Sequence, residues 1–202
     1  QNQLRKRRSN MGHPRKHRKK YSGPTHPWQA DRLEREAVLV KEYGLKNKRE
    51  FWKMESKLRE FKQQVKSLIS RRDERAKTER NLLLEKLYKL GLLESGSKIE
   101  DVLSIEIRNL LNRRLQSLVF KKGLARSIIQ ARQFVVHEHI FVADKKIDVP
   151  AYLVKRNEED KITFDPISSL ASLDHPERVS LEKKESKDKP TKEEKPAEVA
   201  AT

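Results

Sequence analysis

The sequence predicts an α+β chain: a helical domain, then a small two-helix-and-sheet module, with a disordered basic arm in front and a disordered charged tail behind. Three observations carry this. Phe51, Met54, Leu58, Phe61, Val65 and Leu68 recur three and four apart, which sets one apolar stripe along a helix. Ile140-Phe141-Val142 and Ile147-Asp148-Val149 flank the polar turn Ala143-Asp144-Lys145-Lys146, the pattern of a short hairpin. Charged residues (38%) outnumber hydrophobic ones (35%) and crowd the ends, so apolar material suffices for small cores between ends that cannot fold alone.

Residues 1–20 hold nine basic residues and no acid: Arg5, Lys6, Arg7, Arg8, Arg15, Lys16, Arg18, Lys19 and Lys20. Such a block repels itself, builds no core and serves as a nucleic-acid-binding arm. Gly23-Pro24 and His26-Pro27 end it with stiff, extended chain, which places the arm at 1–28. A helix is expected from Asp31 to Tyr43, stopped by Gly44. The stripe of Phe51 to Leu68 forms the next helix, its other faces crowded with Lys and Arg, and a third runs through Leu83, Leu87 and Leu90 to Gly91. These make a helical domain over 29–103.

From 104 to 156 the pattern changes. Ile107, Leu110, Leu111, Leu115, Leu118 and Val119 keep helical spacing up to Gly123. Ser127 followed by Gln130 has the spacing of a capping box, in which the hydroxyl accepts a backbone N–H and the amide reaches back to the cap residue. Ala131, Phe134 and Val135 supply that helix's inner face. The hairpin follows, and Tyr152 and Val154 alternate like a third strand after Pro150. Residues 157–173 read as a return segment to the helical domain. Residues 174–202 mix seven basic and eight acidic residues with almost nothing apolar and form a solvated tail.

The total balance, 47 Lys+Arg against 30 Asp+Glu for a formal charge of +17, makes a polyanion the first partner to consider, because neutralising phosphates releases condensed counterions. No run approaches the roughly 20 apolar residues of a spanning helix and no apolar signal segment is present, so no membrane partner is expected and the chain is placed in the cytoplasm. Cysteine is absent, which removes disulfides, thiol nucleophiles and Cys-based zinc sites. Residues 104–154 hold nine basic and four acidic residues. Arg113 and Arg114 are expected on the polar side of the first module helix, with Gln116 along it and Lys121 and Lys122 at its end. Arg126, Ser127 and Gln130 stand at the N-terminus of the second helix, whose free N–H groups favour a phosphate. Arg132 and Gln133 project a turn further on, His137 and His139 lead into the hairpin, and Lys145 lies in its turn.

RRLQSLVFKKGLA (113–125), ARQFVVHEHIFV (131–142) and VPAYLV (149–154) resemble the RNA-binding module named after the fourth protein of the small ribosomal subunit. The resemblance implies two helices on a small sheet, laid on structured RNA. Two positions depart from the pattern: a Gly usual between the histidines is Glu138, and the usual Asn-Gly of the turn is Ala143-Asp144. Glu138 sets an acid near the RNA edge; Asp144 tolerates left-handed backbone, so the turn survives. The flanks MGHPRKHRKKYSGPTHPW (11–28), KEYGLKNKREFWKMESKLREF (41–61) and DHPER (174–178) are similar to the archaeal branch of that ribosomal protein family. Residues 1–10 precede Met11-Gly12, where archaeal members usually begin, and read as an extended start. Membership implies a structural constituent of the small subunit that binds the 5′ domain of its ribosomal RNA. It also implies a neighbouring small-subunit protein of the fifth class and a nearby messenger RNA path, with Lys46, Lys48, Arg49 and Lys53 as the positions to face that path.

Rival readings have less support. An RNA-modifying enzyme or RNA chaperone carrying the same module is the alternative, but an enzyme needs a catalytic domain. The chain has six glycines and no phosphate loop, catalytic triad or paired carboxylates. The His13/His17 and His137/His139 spacings suggest phosphate or base contacts rather than a metal, and no cofactor is expected. Ser127 is explained by capping. The 51–68 stripe is too short for a coiled coil and packs within the helical domain, with Phe134 buried and Arg132 outward in the module. A DNA-binding, histone-like role is compatible with the charge alone; the RNA module argues against it.

Overall fold

The computed structural model describes residues 19, 21–172 and 175–177. Arg15, Lys16, Arg18 and Lys20 of the basic arm, and the tail from 178 onward, lie outside the described residues. Among the described residues no helix is long and apolar enough to cross a membrane.

The stripe seen in sequence becomes helix α2 (Lys48–Ser70), between α1 (Ala30–Glu42) and α3 (Glu74–Lys89). Asn47, in extended backbone, starts α2 by accepting a hydrogen bond from Glu50 N at 3.2 Å, satisfying one of the donors a helix start leaves orphaned. Phe51, Met54, Leu58, Phe61, Val65 and Leu68 are all buried. Helix α1 ends at Gly44, whose φ of +55° lets Leu45 N fold back to Val40 O at 3.0 Å. A Cβ there would lie 2.8 Å from Ile128 Cγ2 and 3.0 Å from Gln116 Nε2, so the turn is also where the module presses on the helical part. The short helices α4 (Asp101–Ser104) and α5 (Ile107–Asn112) complete this core, with Leu110 and Leu111 beside Val65, Leu87 and Val102.

The single helix expected from Ile107 to Gly123 is instead two, α5 and α6 (Leu115–Lys121). The break has a backbone cause. Arg113 O accepts from Val154 N at 3.1 Å and Leu115 N donates to Tyr152 O at 2.8 Å, so Arg114 is drawn into an antiparallel bridge with Leu153. The same pairing corrects the third strand: Tyr152–Val154 pairs with this break rather than with the hairpin.

Helix α7 (Ile128–Val136) follows, then strands β1 (Ile140–Val142), β2 (Lys145–Lys146) and, after the one-turn helix α8 (Arg156–Glu159), β3 (Ile162–Phe164). The sheet is antiparallel in the order β2-β1-β3. The hairpin's second strand is therefore Lys145–Lys146, not Ile147–Val149, because the turn closes on Ala143 and Asp144 alone, at φ +46° and +68°. The third strand lies in the segment expected to return to the helical domain, which instead pairs with β1 and packs on the module. Ile162 and Phe164 point inward and Thr163 outward. They join Leu115, Val119, Phe134, Val135, Ile140 and Val154 in a second core. Phe134 meets Phe164 edge-on, ring centroids 6.0 Å apart.

Candidate nucleic-acid interface

The two cores are joined by a cluster of charged side chains. Glu50, in the first turn of α2, faces α7 across the joint. Arg132 reaches it with both ends of its guanidinium, Nη2 to Oε1 at 2.6 Å and Nη1 to Oε2 at 3.2 Å. Arg114 donates Nη2 to Oε2 at 2.7 Å. Gln116 completes the cluster: its amide nitrogen donates to Gly44 O at 3.1 Å and Ile128 O at 3.0 Å, and its oxygen accepts from Arg132 Nη1 at 3.4 Å. Burial alone would raise the Glu50 carboxyl, but the hydrogen bonds from Arg132 and Arg114 together outweigh it and hold the group below the ordinary carboxylate range. Burial likewise pulls the Arg114 pKa down, yet a guanidinium beside a carboxylate stays protonated at neutral pH.

Several side chains expected on the outer, polar face instead lie in or near this joint. Arg114 and Gln116, expected on the polar side, are 1% exposed, because the break before α6 turns both into the joint. Arg113 is held by Glu159 at 2.6 Å and by Val154 O at 3.2 Å, packed where a Cβ on Gly91 would lie 2.9 Å from its Cζ. Arg132 is half-buried on Glu50. Lys48 is half-buried, 3.5 Å from the buried Glu36, which also accepts from Trp52 Nε1 at 3.1 Å.

The remaining cations point outward. Lys19, Lys46, Arg49 and Lys53 are exposed, as are Lys121 and Lys122 at the end of α6, and Gln133, His137 and Lys145 in the module. Lys145 is solvent-facing while its neighbour Lys146 turns back to Asp165 at 2.6 Å; the Lys146 hydrogen bond, then the Ile167 N–H, keeps the Asp165 carboxyl low. Ser127 caps α7 as expected, accepting from Gln130 N at 3.1 Å. The Gln130 side chain reaches back one residue further than expected, accepting from Arg126 N at 2.7 Å. The chain returns past this end: Arg126 donates to Pro176 O, and Gln130 Nε2 to Glu177 Oε2 at 2.8 Å. His139 is half-buried and pairs with Ser168 Oγ through Nδ1 at 2.8 Å, its ring 6.3 Å from that of exposed His137. Among the described residues no group of His and acidic side chains could hold a metal ion.

Sequence reasoning missed Glu50 altogether. The one available signal was an isolated acid inside the basic run KNKREFWK (46–53).

Residues 113–160 match the family model for the S4 domain. The match ends just before β3, the strand that completes the sheet. Over a longer span the chain is 50% identical to small ribosomal subunit protein uS4 of Methanothermobacter thermautotrophicus, across 160 residues that cover 79% of this chain and 94% of that protein. The chain belongs to the uS4 family. The uS4 protein of Hyperthermus butylicus is 46% identical over 172 residues, 85% of this chain and 98% of its own length. That of Nanoarchaeum equitans is 46% identical over 170 residues, 83% of this chain and 94% of its own. The uS4 relationship thus extends well beyond the module into its helical flanks.

Proposed function

We propose that this chain is a structural constituent of the small ribosomal subunit that binds and organises small-subunit ribosomal RNA, with no catalytic step of its own. The observation that carries this is the sorting of its cations. Arg113, Arg114 and Arg132 are held by the chain's own carboxylates, whereas Lys46, Arg49, Lys53, Lys121, Lys122 and Lys145 face solvent from both the helical part and the module. Such a surface neutralises phosphates and reads backbone and shape more than base sequence, as paired RNA requires. The uS4 relatives are small ribosomal subunit proteins by name and are aligned over nearly their whole length, which supports the same reading.

The finer reading rests on the family resemblance. The RNA element is a junction of the 5′ domain, the neighbour is a small-subunit protein of the fifth class, and Lys46, Arg49 and Lys53 lie toward the path by which messenger RNA enters. Affinity for small-subunit ribosomal RNA measured against salt tests the binding mode. Log affinity should fall with a slope of roughly 0.7–0.9 per phosphate neutralised, and Lys122→Ala should lower that slope by about one such unit. Affinity indifferent to salt contradicts it.

A further inference from the structure

We propose that Glu50 is the positioning residue that fixes the angle between the helical part and the module, so that cations on the two present one RNA-binding surface. This rests on the function proposed above and adds a determinant to it. Glu50 occupies the first turn of α2, with exposed Arg49 beside it and exposed Lys53 three residues on. Its two partners lie on the module. Arg114 begins α6, which ends at exposed Lys121 and Lys122, and Arg132 lies on α7, next to exposed Gln133. Beside the Gln116 amide on Gly44 O and the apolar packing, this carboxylate is the charged link that ties both module arginines to the helical part.

The chemistry of the joint favours positioning over adhesion. Apolar contacts already hold the two parts together, since Ile128, Ala151 and Leu153 of the module pack on the helical core. Such contacts are non-directional and tolerate sliding. A two-ended guanidinium–carboxylate pair is not tolerant, because its parallel N–H···O bonds exist at one orientation. Nor is the cluster arranged for greatest stability. Arg114 is 1% exposed, and its Nε and Nη1 have no hydrogen-bond partner among the described residues. Burying charge with unmet donors costs more than an apolar joint of the same volume, and its defensible gain is a unique register.

The test compares full-length wild type with the apolar joint Glu50→Met, Arg114→Met, Arg132→Leu, and with Glu50→Gln alone. Readouts are thermal unfolding and affinity for small-subunit ribosomal RNA across a salt series. The apolar joint should fold with a midpoint at or above wild type, yet bind at least tenfold more weakly with the salt slope unchanged. Glu50→Gln, which keeps the shape and removes the charge, should also bind more weakly at unchanged slope; it decides the matter if the triple variant does not fold. Wild-type affinity in a folded variant overturns the proposal. So does a triple variant whose slope falls by about 0.7 for each arginine removed, since Arg114 and Arg132 would then be phosphate ligands themselves. Failure of the wild type to bind this RNA would instead overturn the function proposed above.

Discussion

Glu138 follows α7 at a position where the chain must turn left-handed, at φ +60°. Glu138 N donates to Val135 O at 3.1 Å and His139 N folds back to Phe134 O at 3.0 Å. The same closure is made by Gly44 after α1. Glutamate pays twice here. Left-handed backbone costs a residue with a Cβ about 1–2 kcal/mol, and an acid at a helix C-terminus opposes the helix dipole by about 0.3–1 kcal/mol. Glycine removes both penalties but loses about 0.5–1 kcal/mol through its greater freedom in the unfolded chain. Glu138→Gly should therefore stabilise the protein by about 1 kcal/mol net, equivalent to about 2–4 °C in a chain of this size. Glu138→Ala separates the contributions, since it removes the charge and keeps the strain. Urea unfolding followed by circular dichroism should rank Gly above Ala and Ala above the natural Glu. A glycine variant no more stable than the alanine variant would refute the strain argument.

Other expectations are equally direct. Phe134→Ala removes a buried ring from the module core and should cost about 3–5 kcal/mol, while Gln133→Ala beside it should stay within about 0.5 kcal/mol of wild type in the same unfolding assay. The joint should be acid-labile. A carboxyl whose folded pKa is lowered contributes stability that is present above its unfolded pKa, about 4.3 for glutamate, and lost as pH falls through the folded value. Glu158 and Asp165 shift in the same direction as Glu50, so wild type should weaken steadily on acidification below about pH 5 and Glu50→Gln less steeply, as read by denaturant midpoints against pH. Deleting residues 1–20 should leave those midpoints unchanged and reduce the salt dependence of RNA binding.

What was legible in the sequence was local. The α2 stripe, the Ser127 cap, the inner face of α7 at Phe134 and the strand Ile140–Val142 each announce themselves within a few residues, because helical spacing, capping and strand propensity act over that range. What was not legible depends on distant partners. The break at Arg113 and Arg114 is made by hydrogen bonds exchanged with Tyr152 and Val154, against a periodicity that runs unbroken through it. Strand β3 alternates Ile162-Thr163-Phe164 but is separated from its partner β1 by α8, so no local turn announces the pairing. Above all, a basic residue does not declare whether it meets phosphate or carboxylate: Glu50 lies 64 residues from Arg114 and 82 from Arg132. Arg113, Arg114 and Arg132, all expected on the polar face, therefore meet carboxylates that no local pattern marks as their partners. Family resemblance did carry one structural lesson, since Glu138, Ala143 and Asp144, which depart from the usual Gly and Asn-Gly, are the positive-φ residues other than glycine among the described residues.

Hydroxyl-radical footprinting of the purified protein on small-subunit ribosomal RNA, with transfer RNA and duplex DNA as competitors, tests the central claim most directly. Protection should concentrate at one junction of the 5′ domain, survive both competitors, and shrink on one side when Lys121 and Lys122 are replaced by alanine. Protection that is diffuse along the RNA, or that transfer RNA or DNA abolishes at equal concentration, would contradict it.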